Sequence, residues 1–183
     1  SNDLHGSSKK AEIIAANVIL VDADAIVLGA STVSGTYRIK AGGNITDDGI
    51  LAVTGASSFT TTATDATIGL DADFTHALSG TVTLKTTGSS ANAEVDNGTT
   101  ALILGDGTSV DGTPLATSVG GDLTLTSGAA AGITDSDTVT VGGNLTATTD
   151  ANSGVIDMET LAVAGTITLT TDGTGDATID NGT

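Results

Sequence analysis

The side chains best suited to chemistry in this sequence are closely spaced aspartates in segments rich in Gly, Asn and Ser. The pairs are Asp22/Asp24, Asp47/Asp48, Asp71/Asp73, Asp135/Asp137 and Asp172/Asp176. Calcium binds several carboxylate and carbonyl oxygens, so it is the one cofactor that these residues indicate. Asp side chains also stabilise turns by accepting hydrogen bonds from nearby backbone amides. Both interpretations stay open, and no individual metal ligand is assigned, because the EF-hand loop and the G-G-x-G-x-D nonapeptide are both missing.

Catalytic side chains are scarce. There are two histidines, His5 and His76, and no cysteine, so a zinc ligand set is not available. We expect both histidines to lie on the surface. A Ser-His-Asp triad could be assembled around His76, but no G-x-S-x-G nucleophile motif supports it. The sequence therefore assigns no catalytic residue, and we expect a protein that is not an enzyme.

The charged and aromatic side chains weigh against polysaccharide cleavage. Enzymes that cleave acidic polysaccharides on a β-helix need cationic groups beside carboxylates, and the repeats offer only Arg38, Lys40 and Lys85. Aromatic platforms for sugar stacking are equally few, namely Tyr37, Phe59 and Phe74. A β-helix enzyme that degrades polysaccharide is thus the least favoured alternative.

The net charge of −17 excludes two classes of partner. Nucleic acid binding requires Lys and Arg to neutralise phosphates, whereas residues 86–183 contain neither. An anionic membrane surface would repel the chain for the same reason. No apolar stretch of about 18 residues is present, so membrane insertion is not expected.

A glycine-centred pattern is the main organising feature of the sequence. An apolar residue stands two positions before each glycine, and apolar residues usually stand two and four positions after it. The glycines are Gly35, Gly55, Gly80, Gly121, Gly143 and Gly165. The long gap between Gly80 and Gly121 is interpreted as two steps, which gives a mean period of about 22 residues. A fixed period of this length is typical of solenoids, in which each repeat buries its apolar face against its neighbours.

The pattern predicts an all-β, right-handed parallel β-helix. No segment shows a helical apolar period, and the Leu-x-x-Leu-x-Leu ladder of leucine-rich repeats is missing. Parallel crossovers are overwhelmingly right-handed. We predict coils of about 20–25 residues over residues 11–183, after a polar tail at 1–10. The residues two before, at, two after and four after each glycine should face the core, because side chains alternate along a strand.

Other echoes accompany the glycine pattern. The sequence Asp-Asn-Gly-Thr at 96–99 returns at 180–183, which we interpret as four turns of about 21 residues. Outward Thr pairs, Thr81/Thr83 and Thr166/Thr168, resemble the Thr-x-Thr ladders of ice-binding solenoids. Charged residues at the matching positions of other repeats favour Thr as an ordinary strand former. Four Asn-x-Thr sequons occur, at Asn44, Asn97, Asn144 and Asn181.

Two segments carry a family resemblance: GGNITDDGILAVTG at 42–55 and GITDSDTVTVGGNLTATT at 132–149. They resemble the repeats of filamentous-haemagglutinin-type large exoproteins, the secreted partners of two-partner secretion systems. The family's amino-terminal secretion domain is not recognisable here. The resemblance implies a β-helical shaft, secreted or held at a bacterial cell surface, that serves adhesion or aggregation. Its expected partners are further copies of itself, adjoining coils of a longer chain, or a host or cell-surface glycan.

The leading functional hypothesis is a non-catalytic structural shaft of a secreted adhesin or extracellular filament, which could stack end to end. Such a chain would be a fragment or a processed form of a longer protein. The alternative is a ligand-binding β-solenoid whose ligand is calcium, glycan or ice.

Overall fold

A computed structural model describes residues 10–71 and 73–182, and within these residues it contains strands and turns but no helix. Sheet A has ten strands: β1 (Lys10–Ala15), β3 (Ile26–Val33), β5 (Ile45–Asp47), β6 (Leu51–Val53), β8 (Ile68–Leu70), β9 (Ala77–Leu78), β11 (Ala93–Asp96), β16 (Leu123–Ser127), β19 (Leu145–Thr149) and β22 (Ile167–Thr170). Sheet B has eleven: β2 (Val18–Asp22), β4 (Tyr37–Ala41), β7 (Ser57–Thr61), β10 (Val82–Lys85), β12 (Leu102–Leu104), β15 (Ser118–Val119), β17 (Ile133–Asp135), β18 (Val139–Val141), β20 (Ile156–Met158), β21 (Leu161–Val163) and β23 (Ala177–Ile179). A separate antiparallel pair consists of β13 (Gly107–Thr108) and β14 (Pro114–Leu115). The expected tail at 1–10 lies outside the described residues except for Lys10, which begins β1.

The strands of the two large sheets pair in parallel, one coil on the next. In sheet A, the residues paired from coil to coil are Ile26, Ile45, Ile68, Ala93, Leu123, Leu145 and Ile167. A path of eight strands crosses sheet B in the same way. The predicted β-solenoid is therefore confirmed, although the steps between paired residues extend from 17 (Lys10 to Val27) to 33 (Lys85 to Ser118), beyond the expected range. The right-handed sense of the coil stays a prediction.

One continuous apolar core lies between the two sheets. Val53, Val141 and Val163 belong to it, as the glycine pattern predicts. Tyr37 and Phe59 are also fully buried in it, with ring centroids 6.0 Å apart in an edge-to-face arrangement. These two rings therefore pack inside the coil and are not available as platforms for sugar stacking.

The repeat glycines lie at corners, where backbone of successive coils approaches closely. A Cβ atom on Gly55 would lie 2.6 Å from the carbonyl oxygen of Gly35, and one on Gly165 would lie 2.5 Å from that of Gly143. Neither Gly55 nor Gly165 has a positive φ. Glycine is required here by the close approach and not by an unusual backbone conformation.

The six repeat glycines occupy two different corners. Gly35, Gly55 and Gly80, the first block, lead from sheet A into sheet B. The second block leads from sheet B into sheet A and consists of Gly121, Gly143 and Gly165. The segment from Gly80 to Gly121 thus spans more than one turn but less than two, and the prediction of two full steps is wrong. The glycine pattern of the second block lies at a different corner of the coil from that of the first.

In each block, one column of strands ends at an asparagine side chain. The column β3–β6–β9 ends at Asn97, and the column β15–β18–β21 ends at Asn181. Asn97 Oδ1 accepts a hydrogen bond from Leu78 N (2.8 Å), and its Nδ2 donates to Leu78 O (3.0 Å). Asn181 pairs with Val163 N (2.7 Å) and O (3.2 Å) in the same way. Each carboxamide takes the place of the next strand, because it satisfies the backbone groups that an edge strand would leave unpaired. Asp96 ends β11 of sheet A, whereas Asp180 follows β23 of sheet B, so the segment between these two residues does not span a whole number of turns, and the prediction of four turns is wrong.

The extra length between the blocks forms an insertion at residues 105–117 on the outer face of sheet B. It contains the β13–β14 hairpin, and Thr108 O accepts a hydrogen bond from Ser58 Oγ (2.9 Å). Gly105 O accepts a second one from Thr83 Oγ1 (3.0 Å). Ser58 and Thr83 consequently become buried, although both lie at outward positions of their strands.

Candidate functional site

Two of the five predicted aspartate pairs use a carboxylate in a turn. Asp22 Oδ1 accepts from the backbone N–H of Asp24 (3.0 Å), and Asp71 Oδ1 accepts from that of Asp73 (3.2 Å). These contacts between residues two positions apart are Asx turns. Turn chemistry, one of the two open interpretations, therefore accounts for the geometry of both pairs.

Other aspartates connect one coil to the next. Asp135 accepts from the backbone N–H groups of Glu159 (3.0 Å) and Thr160 (2.8 Å), and Asp172 accepts from Ser153 N (3.3 Å). In residues 10–71 and 73–182, no group of three or more His, Cys, Asp or Glu side chains is arranged to hold a metal ion. The calcium site stays a prediction without an assigned ligand set.

His76 is buried, which corrects the expectation that both histidines lie on the surface. Only 1% of its surface is exposed. Its Nδ1 accepts a hydrogen bond from Leu51 N (3.1 Å), and its Nε2 lies 3.5 Å from Asp47 Oδ2. The other candidate, His5, lies outside the described residues.

The protonation of this pair leaves His76 without a ring nitrogen that is free to accept a proton. Burial lowers the pKa of His76, against a smaller opposite effect of Asp96 and Asp71. Burial also raises the pKa of Asp47 to about 6. At neutral pH the imidazole is thus uncharged, and because Nδ1 accepts a hydrogen bond, the proton lies on Nε2, which faces Asp47. Because the unprotonated Nδ1 already accepts a hydrogen bond from Leu51 N and the side chain is buried, His76 is not placed to act as the general base of a triad.

The second block supports a structural role for the pair. Asp135 lies in the repeated Ile-Thr-Asp sequence at the place of Asp47. Its Oδ2 accepts from the hydroxyl of Thr160 (2.7 Å), whereas Asp47 Oδ2 faces His76. Thr160 thus takes the place of His76 in the second block. Because a threonine can replace the histidine there, the role of His76 is to fill space beside a carboxylate at a corner.

A flat array of threonines covers the outer face of sheet A in the second block. Thr124, Thr146 and Thr168 are paired in register from coil to coil, and Thr126, Thr148 and Thr170 form a parallel column. The pairs expected from sequence combined residues one and three after each glycine. The residue one position after each glycine lies at the corner of the coil. The Thr pairs on the sheet are therefore three and five positions after each glycine, and no charged residue interrupts these pairs over three coils. Thr83, a member of the other expected pair, is covered by the insertion.

The four sequon asparagines have structural roles at corners. Asn97 and Asn181 end strand columns, as described above. The exposed Asn44 and Asn144 each accept a hydrogen bond from the next coil, from Thr67 N (3.0 Å) and Thr166 N (2.8 Å) respectively. Their placement explains the repeated Asn without invoking a modification.

The three cationic residues of the repeats lie on one outer face. Arg38 and Lys40 are alternate residues of β4, and Lys85 of β10 pairs with Thr60, which pairs with Lys40. A cleft of about 290 Å³ lies beside the insertion and is lined by residues that include Arg38, Asp106 and Thr108. The sequence gives no sign of this cleft, because β4 and the insertion are far apart along the chain.

The described residues contain no helix that could cross a membrane. No curated protein and no solved structure matches the chain. The family described as repeats of unknown function (DUF5649) matches residues 15–85, a segment that includes all three glycines of the first block. Over that segment, the chain is similar to these repeats.

Proposed function

We propose that the chain is a non-catalytic structural shaft of a secreted bacterial adhesin or extracellular filament. The observation that carries the proposal is the continuous pairing of successive coils through both sheets, with one core that extends along the whole stack. The resemblance to filamentous-haemagglutinin-type repeats supports the adhesin and the extracellular location. The charge of −17 opposes lateral aggregation of such a shaft, because neighbouring copies repel.

The last described coil is suited to stacking against a further coil. Leu145 and Ala147 are fully buried, whereas Ile167 and Leu169, which are paired with them one coil later, are only partly buried. Ile179 is 37% exposed, although Met158, its partner in the previous coil, is fully buried. A further coil would cover these side chains and pair with the open strand edges.

We expect the purified chain to associate end to end as its concentration rises. Light scattering should show a mass that increases with concentration, and electron microscopy should show thin filaments. Ile179→Asp should reduce this association because it places a charge at the exposed end of the core. Thr178→Asp adds the same charge at a neighbouring position that alternates to the outer face, and it should leave association unchanged.

A strict monomer at the highest soluble concentration would count against self-association. Equal effects of Ile179→Asp and Thr178→Asp would show that net charge, and not the end of the core, controls the assembly.

The threonine array favours ice binding as a second candidate function. In a parallel sheet, coils repeat about every 4.8 Å, and alternate residues of one strand lie about 6.6 Å apart. The two columns therefore give a regular grid of hydroxyl and methyl groups on one flat face. Such a grid can order water at its surface, which is what ice recognition requires.

If this face binds ice, the chain should show thermal hysteresis, measured as the gap between melting and freezing temperatures of a seeded crystal. Thr146→Glu, at the centre of the array, should abolish the gap. Thr32→Glu, on the same sheet in the first block, should preserve it. An absence of thermal hysteresis in the unmodified chain would remove this candidate.

A further inference from the structure

We propose that the cleft between sheet B and the insertion binds a carboxylated sugar residue, with Arg38 as the anchor of its carboxylate. The proposal does not depend on shaft assembly, since assembly would use the ends of the coil and the cleft lies on its side. It concerns the outer face of β4 and β7 and the inner side of the residue 105–117 insertion.

The insertion builds the cleft where the positive charge lies. Arg38, Lys40 and Lys85 occupy outward positions within three adjacent coils, in a chain with only five Lys and Arg residues. The hydrogen bonds from Ser58 and Thr83 to Thr108 and Gly105 hold the insertion against this face. Insertions in a solenoid form loops on one face, which is often the binding face.

Arg38 is the free cation of the cleft. Its guanidinium makes no hydrogen bond or ion pair with any residue in the described part of the chain, although it is half-buried. Lys40, by contrast, already contributes to the lowering of the pKa of Asp111, after the larger effects of hydrogen bonds from Ser109 and Thr113. Arg38 therefore has its fork of donors available for a ligand in the cleft.

The remaining lining residues select the chemistry of the ligand. A guanidinium matches a carboxylate through two parallel hydrogen bonds. Asp106 lines the same cleft and accepts hydrogen bonds, so it disfavours an inorganic anion and favours a ligand that also carries hydroxyl donors. Thr36, Thr81 and Thr108 add side-chain hydroxyls around it. The volume of about 290 Å³ is at the lower end for ligand pockets, which fits a single sugar residue.

The test is titration of the full chain with methyl glucuronide and with the methyl glycoside of a sialic acid, followed by calorimetry or NMR. Methyl glucoside, which lacks the carboxylate, is the ligand control. We expect saturable binding of at least one acidic glycoside, and the stronger of the two identifies the source of the carboxylate. Arg38→Gln should weaken this binding about tenfold or more, because a charged hydrogen-bonded pair is lost.

Lys85→Gln is the matched protein control, because it removes the same charge from the same face at a residue that does not line the cleft. It should change the affinity less than twofold. If circular dichroism shows that Arg38→Gln is unfolded, Arg38→Lys serves instead, since it keeps the charge but not the bidentate fork. The proposal is overturned if neither acidic glycoside binds, if methyl glucoside binds equally well, if both charge-removing variants have the same effect, or if a folded Arg38→Lys binds like the unmodified chain.

Discussion

Replacing Val141 by aspartate should lower the free energy of unfolding by on the order of 3–5 kcal/mol, the cost of an unpaired carboxylate in a core. Val141 is 1% exposed and is paired between Val119 and Val163 in adjacent coils. None of these neighbours can donate a side-chain hydrogen bond to a carboxylate. Chemical denaturation, monitored by circular dichroism, measures the change directly.

Thr140→Asp is the matched control for this substitution. Thr140 is exposed and alternates to the outer face of the same strand, so the change should cost less than about 0.5 kcal/mol beyond like-charge repulsion. Both variants carry the same added charge, so net charge cannot explain a difference between them. If Thr140→Asp lowers stability as much as Val141→Asp, the assignment of inward and outward positions is wrong.

The sequence was sufficient to predict the solenoid and the side of the strand that faces the core. Apolar alternation around each glycine is a local pattern, and strand geometry converts it directly into inward and outward positions. Val141 and Val163 are paired in adjacent coils as expected. The close approach of backbones at Gly55 also follows from the absence of a side chain there.

The relation between the two blocks could not be predicted in the same way. The motif around Gly80 and the one around Gly121 are alike in sequence, but a local motif specifies a corner and not which of two similar corners it forms. Counting residues assigns whole turns only if every coil has the same length. The insertion at 105–117 makes one coil longer, so the count fails there.

The chemistry of individual side chains was equally dependent on contacts between distant coils. His76 lies between Thr75 and Ala77 in the sequence, and its contacts are with Leu51 and Asp47 of the preceding coil. The cleft at Arg38 arises only when the insertion folds back on β4, a strand that lies several coils earlier in the chain. Such sites depend on the register of coils, which one repeat does not encode.

The shift of the glycines to a different corner in the second block is the central structural claim. It places Thr124 beside Glu94 in sheet A. If the glycines of both blocks shared one corner, the strand of Leu123 would lie in the same sheet as Val82. Two equal steps of about 21 residues between Gly80 and Gly121 would then make Ile103 the neighbour of Thr124 in the preceding coil. In the structure, Ile103 is paired instead with Thr134 in sheet B. The two arrangements thus give Thr124 different neighbours on the outer surface.

Pyrene excimer fluorescence distinguishes these neighbours most directly, because the chain has no cysteine and two can be introduced at will. The pairs are Glu94→Cys with Thr124→Cys, and Ile103→Cys with Thr124→Cys. In-register residues of adjacent parallel strands are about 4.8 Å apart, so pyrenes attached to them stack on each other. We predict strong excimer emission from the 94/124 pair and none from the 103/124 pair; emission from the 103/124 pair without emission from the 94/124 pair would contradict the assignment of the two blocks to different corners.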